Sequence, residues 1–117
     1  MSSPQKIKGS KYERDVRDYL NSFGFDTERT RAGWADDRGD IHGIVGQDGD
    51  MFVIECKNQK SMDLSGWCKE LLNEVTNASG AAGAVVHKKR GTSLVAEHYA
   101  TMPVHMLIYI LRKAGYK

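Results

Sequence analysis

Asp40, Glu55 and Lys57 are the residues of this chain whose types and spacing most directly suggest chemistry. They lie at the two ends of the stretch GDIHGIVGQDGDMFVIECK, residues 39–57. Two apolar runs there flank a Gln47-Asp48-Gly49 turn signal, the pattern of a β-hairpin. Folding the hairpin brings its ends together, so two carboxylates and an ammonium meet at one corner of a sheet. Opposed residues in a hairpin have a constant sum of numbers. A sum of about 95 sets Asp40 against Glu55, whereas a two-residue Asp48-Gly49 turn sets Asp40 against Lys57. The sequence leaves both registers open. In either, Glu55 is opposite Asp40 or one diagonal away, about 5–8 Å at Cβ. Alternation puts Glu55 and Lys57 on one face and Cys56 on the other.

Carboxylates that face each other in a half-buried sheet repel and resist desolvation. Lys57 offsets part of that cost. A divalent cation offsets more, because Mg²⁺ takes a few carboxylate oxygens and keeps water and phosphate oxygens as its other ligands. Such an ion polarises a phosphodiester and lowers the pKa of a bound water. Lys57 could then position or deprotonate the attacking water, or stabilise the developing charge. The plainer alternative is a strand-end salt bridge between Lys57 and Asp40 or Glu55. Six acids lie between residues 36 and 55 (Asp36, Asp37, Asp40, Asp48, Asp50, Glu55) against one base, Arg38. Bases cluster outside, at Arg29/Arg31, Lys57/Lys60 and Lys88-Lys89-Arg90. An acidic pocket with basic flanks suits metal-dependent chemistry on a nucleic-acid backbone. The net charge of +2 is too mild to make that case alone.

The elements that must position this corner follow from periodicity. With 117 residues the chain is a single domain. Residues 1–9 are polar and expected to be flexible. Ser10-Lys11-Tyr12-Glu13 has capping-box spacing, and Tyr12, Val16, Tyr19, Leu20 and Phe23 follow at helical intervals to Gly24. Residues 25–31 read as a first strand and 32–38 as a polar loop around Trp34. Met51–Ile54 is apolar on both faces, as in an interior strand. Residues 61–78 are helical, with Leu64, Trp67, Leu71, Leu72 and Val75 in one stripe. Ala84–His87 is a buried strand and 92–97 an edge strand. A last helix runs from Val104 to about Ala114 with Pro103 in its first turn. It is apolar nearly all round, which fits either a partner surface or a fully buried terminal helix. The 61–78 helix is long enough for a right-handed crossover, setting 84–87 parallel to 51–56. The expected fold class is α/β, a mixed sheet flanked by helices.

Glu13 has two readings: the far member of the capping box, or a third acid reaching the hairpin corner from the helix side that faces the sheet. Cys56 and Cys68 fit no zinc spacing and read as small buried hydrophobes. No apolar run approaches transmembrane length and no signal-peptide core is evident, so a cytoplasmic location without membrane contact is expected. His42 shares a face with Asp40 and reads as structural. Gln59 falls two residues past Lys57, where it could orient water or phosphate. Lys88-Lys89-Arg90 follow a strand end and could reach a phosphate backbone. Trp34 reads as a loop anchor, and His98 and His105 carry no signal.

Lys8-Gly9-Ser10-Lys11-Tyr12-Glu13-Arg14, Gly24-Phe25 with Arg29 and Arg31, Gly39-Asp40-Ile41 and Ile54-Glu55-Cys56-Lys57 together resemble the archaeal-type Holliday junction resolvases of the PD-(D/E)XK nuclease superfamily. The likeness runs in order from about Lys8 to Lys60; beyond that only the pattern of elements matches. It implies a restriction-endonuclease-like αβββαβ core, Mg²⁺ or Mn²⁺ dependence, and a homodimer that makes paired nicks across branched double-stranded DNA. By position it makes Asp40 and Glu55 metal ligands, Glu13 the helix-borne acid and a third metal ligand, and Lys57 the catalytic lysine, the four forming the expected catalytic set. Arg14, Arg29 and Arg31 fall where the family has bases near DNA. Gln59, Lys60, Lys88, Lys89 and Arg90 complete the expected DNA-binding set. Gly39 replaces the proline of the superfamily's name, and Ala32-Gly33-Trp34-Ala35 offers no serine to hold a phosphate. The compact length and compressed second half suit a viral version. The rival functions are another nuclease of this superfamily acting on flaps, ends or duplex sites, and a DNA-binding protein of this fold without catalysis.

Overall fold

The computed structural model describes residues 3–30 and 39–117. Arg31, Trp34 and the expected loop at 32–38 lie outside the described residues. The elements in chain order are α1 (Pro4–Asn21), β1 (Glu28–Arg29), β2 (Ile41–Val45), β3 (Met51–Lys57), α2 (Leu64–Asn77), β4 (Ala82–His87), a 3₁₀ turn (Val95–Glu97), β5 (Tyr99–Thr101) and α3 (Val104–Lys113). The strands form one five-stranded sheet in the order β1-β2-β3-β4-β5. β3 and β4 are parallel and the other pairs antiparallel. This is the mixed α/β sheet expected, with α2 as the crossover.

Two apolar clusters hold helices to the two faces. Tyr12 and Val16 of α1 pack with Ile41, Ile54 and Ala84. Trp67, Leu71 and Val75 of α2 and Met106 of α3 pack with Val53, Ala82 and Val85. The interior strand β3 therefore gives Ile54 and Cys56 to the α1 face and Val53 and Glu55 to the α2 face, which is why its sequence is apolar on both sides.

Several boundaries differ from the sequence-based expectation, each for a local reason. α1 starts at Pro4, not Ser10: Ser3 caps it by accepting from the Lys6 N–H, and proline suits the first helical position. Ser10 lies inside the helix, so Glu13 is not part of a cap. β1 is only two residues long, because Asn21 takes the Thr27 backbone and hydroxyl in hydrogen bonds of 2.9 and 2.7 Å and holds the approach to the strand against α1. Residues 92–97 do not form the edge strand. Thr92 Oγ1 accepts from Leu94 N and donates to Glu97, and the His98 ring bridges the Thr92 carbonyl and the Tyr12 hydroxyl. Such side-chain bonds compete with a ladder, and the edge strand begins at Tyr99. Leu64 and Leu72 are exposed rather than part of the buried stripe of α2. Cys56 and Cys68 are free and half-buried. α3 has Pro103 as its N-cap and is not a fully buried helix: Met106 is buried, while Val104, Leu107 and Ile108 are exposed.

Neither simple hairpin register holds throughout. Ile41 pairs with Ile54, a sum of 95, while Ile44 pairs with Phe52 and Val45 with Met51, a sum of 96. The extra residue lies in β2 between Ile41 and Ile44, where Gly43 adopts φ +106°. A Cβ on Gly43 would collide with the Asp26 carbonyl, so glycine here both allows the bulge and lets the chain before β1 approach. The bulge brings the site end of the hairpin into the register that sets Asp40 against Glu55. Gly43→Ala is expected to destabilise the fold by about 2 kcal/mol. Urea denaturation should show a lower midpoint with an unchanged slope.

Candidate active site

Asp40 directly precedes β2, and its backbone N–H donates to the Ile54 carbonyl at 2.9 Å. One carboxylate oxygen, Oδ2, accepts the Cys56 N–H at 2.7 Å, which fixes the side chain across the end of β3. Gly39 makes this approach possible. It adopts φ +90°, and a Cβ there would sit 2.5 Å from Val53 Cγ1. Proline is locked near φ −65° and cannot take that conformation. The departure from the superfamily's name is therefore a local backbone requirement.

Asp40 and Glu55 meet as predicted. Glu55 is 6% exposed. Burial, and then the neighbouring Glu55 carboxylate, push Asp40 far above the carboxylate range. Burial and a hydrogen bond to Glu74 push Glu55 up to about 9. No N–H or O–H of the described residues reaches Glu55 Oε2, which is buried. A shared carboxyl proton or a cation would satisfy such an oxygen. The oxygen-only donor set and the orphaned buried atom fit a hard divalent cation held between Asp40 and Glu55.

Lys57 follows on the α2 face, but its partner is neither Asp40 nor Glu55. Its ammonium lies 2.8 Å from Glu70 Oε2 of α2. Burial alone would lower the Lys57 pKa. The Glu70 hydrogen bond and the charges of Glu55, Glu70 and Asp40 outweigh it, and the net shift is upward. Lys57 is thus a fixed cation here, suited to positioning and charge stabilisation rather than to taking a proton.

Glu13 reaches the same cleft from α1, on the opposite face of the sheet from α2. Its carboxylate pairs with Arg29 at 3.1 Å, both side chains being largely buried. Arg29 is engaged with this acid rather than extended toward solvent. Glu13, Asp40, Glu55 and Lys57 all line one open cleft of about 1090 Å³. Arg14, Gln59 and Lys60 line its rim. β3 ends at Lys57, so Gln59 stands beyond the strand in the connection to α2. Lys88, Lys89 and Arg90 are exposed and leave β4 beside Lys57, with Lys88 N–H bonded to the Lys57 carbonyl. His87 turns inward against Trp67 and Tyr99. His42 is occupied by the Thr30 hydroxyl.

Of the six acids counted in the sequence, Asp48 and Asp50 belong elsewhere. They sit at the hairpin turn, tied to α3 by Lys113 at 2.8 and 3.4 Å and by a Tyr109–Asp50 hydrogen bond. Asp36 and Asp37 lie outside the described residues. Two groups were missed. Lys6 and Lys8 line the cleft because α1 extends to Pro4, and Ser3-Pro4 was the available signal. Glu74 is 2% exposed on the buried face of α2. Its signal was an acid within the apolar stripe, three residues after Leu71 and seven after Trp67.

A model of the family described as "Phage putative PDDEXK endonuclease" matches residues 4–113. Among solved structures, the chain is similar to Hjc of Archaeoglobus fulgidus, a Holliday junction resolvase from an archaeal hyperthermophile. The TM-score is 0.52 at 21% identity, over 94% of this chain and 98% of that one. At that identity the likeness establishes a common fold. No curated protein matches. No helix among the described residues is long and apolar enough to cross a membrane.

The raised carboxyl groups set the sign of a stability prediction. Unfolded carboxylates ionise near pH 4, whereas Glu55 in the fold holds its proton to about 9. The native state therefore binds more protons across that window, and metal-free stability falls as pH rises through it. Asp40→Asn removes one of the groups that must take up a proton on folding at that pH. It should raise the metal-free melting temperature at pH 8 by about 5 °C, while Mg²⁺ should stabilise the wild type more than the variant. Differential scanning calorimetry with and without Mg²⁺ checks both.

Proposed function

Because the chain belongs to this phage PDDEXK endonuclease family, we propose that it is a divalent-metal-dependent DNA endonuclease acting on branched DNA, as a homodimer that makes paired nicks in four-way junctions. The observation that carries this reading is the half-buried Asp40 set against the buried Glu55 in a cleft with basic residues at its rim. Mg²⁺, with Mn²⁺ as a substitute, supplies phosphodiester polarisation and an acidified water when bound. Asp40 and Glu55 are its ligands, and Glu13 is a third acid held beside them by Arg29. Lys57 holds its positive charge toward the reacting phosphate and hydrogen-bonds the water or the developing oxyanion.

Positive side chains on both walls of the cleft support binding to a phosphate backbone. Lys6, Lys8 and Arg14 stand on α1, and Lys60 stands on the opposite rim. Lys88, Lys89 and Arg90 extend that side. Arg29 and Arg31 are proposed to lie near the DNA, Arg29 through its place beside Glu13. The exposed apolar residues Val104, Leu107 and Ile108 on α3 supply a surface for a second copy. The likeness in fold to a Holliday junction resolvase favours a junction over linear duplex as substrate.

Cleavage of a labelled four-way junction and of a matched linear duplex tests this function. With Mg²⁺ the wild type should cut the junction in symmetric pairs and leave the duplex mostly intact. Equal cleavage of both would instead favour a superfamily nuclease acting on ends, flaps or duplex sites. Activity without a divalent ion would contradict the metal role. Asp40→Asn should reduce cleavage by about 10³-fold or more while junction affinity changes by no more than about threefold. Replacing Lys88, Lys89 and Arg90 by alanine should weaken binding without sequence preference. It should also lower the slope of log K against log salt by about one per residue in contact. Sedimentation of Leu107→Asp should show a monomer that nicks junctions singly.

A further inference from the structure

Gly9 lies in the interior of α1, which runs unbroken from Pro4 to Asn21. Glycine weakens a helix interior more than any residue but proline, so its presence there calls for a reason. Among the described residues, every other glycine takes a positive φ or has an atom within 4 Å of the place a Cβ would occupy. Gly9 alone has neither: it is helical, and the space where its Cβ would stand is open. Neither backbone conformation nor packing within the fold requires a glycine at this position. The open space belongs to the cleft. Gly9 lines it between Lys8 and Ser10, on the wall that also carries Lys6, Glu13 and Arg14.

We propose that Gly9 is a close-approach point for the sugar–phosphate backbone of DNA, where a bound strand rests directly on the backbone of α1. The inference rests on the reading of this cleft as a DNA nuclease site. Where a ligand must come close to the main chain, glycine is the residue that leaves room. With no Cβ at Gly9, a deoxyribose or phosphate can reach the helix itself. At that depth the phosphate meets the Ser10 hydroxyl and the charges of Lys6 and Arg14. These three recur every four residues and so share one side of the helix. Gly9 stands one turn before Glu13, about 6 Å along the helix axis. The group seated on it is therefore a neighbour of the reacting phosphate and not that phosphate itself. Gly9 is a positioning residue: it sets how deep the strand lies, and thereby how the reacting phosphate meets the Asp40–Glu55 corner.

Gly9→Ala and Gly9→Leu separate a role toward DNA from a role in the fold. Both variants should melt at a higher temperature than the wild type, because each puts a better helix former into α1. Both should nevertheless bind a four-way junction more weakly, by about tenfold for alanine and more for leucine. Fluorescence anisotropy on the Asp40→Asn background reads the affinity without cleavage. Mg²⁺-dependent cleavage by the otherwise wild-type chain should fall in the same order. A stabilised variant that binds the junction as tightly as the parent would overturn the proposal, whatever its cleavage rate. Variants that melt lower than the wild type would also overturn it, since glycine would then serve the fold. Parent binding to linear duplex as tight as to the junction would overturn the junction reading alone. The same loss on duplex in the Gly9 variants would then still support the close approach. A parent that binds neither DNA would overturn both this inference and the nuclease reading.

Discussion

The rest of the structure depends on two carboxylates being held together out of water. Asp40 and Glu55 are pressed into contact at the end of an interior strand; burial penalises both charges, and a neighbouring carboxylate adds to it, Glu55 for Asp40 and Glu74 for Glu55. A fold gains nothing in stability from such a pair. Much of the surrounding architecture serves to maintain it. Gly39 takes a conformation that only glycine adopts readily, Gly43 absorbs a residue so the strands end in the right register, and the Cys56 N–H anchors the Asp40 carboxylate. Local conflict of this kind, sustained by otherwise consistent packing, is characteristic of functional sites.

The site has two sides with different characters. From α1 come Glu13 and a set of bases, so that side is suited to acid chemistry and to phosphate contact together. On the α2 side, Glu70 and Glu74 lie near Glu55 and Glu70 holds Lys57. The strand between them presents Cys56 to one side and Glu55 and Lys57 to the other. An E-x-K spacing is therefore not just two charges close in sequence. It is the period of a strand used to point both side chains at the same helix.

The helices, the interior strand and the parallel crossover were legible in the sequence because hydrophobic period reports burial directly. Asp40, Glu55 and Lys57 were legible because a hairpin turns sequence symmetry into proximity. The register was not, since the bulge at Gly43 changes the sum of paired numbers midway and no periodicity signals it. The start of α1 was misread because a Ser-Lys-Tyr-Glu spacing inside the helix imitates a cap, while Ser3-Pro4 was the working one. The edge strand was misplaced because Thr92 and His98 make side-chain bonds to the backbone that residue type alone does not foretell. Glu74 was passed over because apolar residues define a stripe, and an acid within it breaks the pattern it should have flagged. The Lys57–Glu70 pair depends on α2 lying over β3, and that is a property of tertiary structure.

The central claim is that the buried carboxylates at this corner are completed by a divalent cation. Isothermal titration of the protein with Mg²⁺ at pH 8, repeated in buffers of different ionisation enthalpy, tests it most directly. Metal binding to carboxyl groups that hold protons in the free protein should expel about one proton for each ion bound. Tight binding with that proton release is the predicted result. No heat of binding, or binding without proton release, would contradict the account.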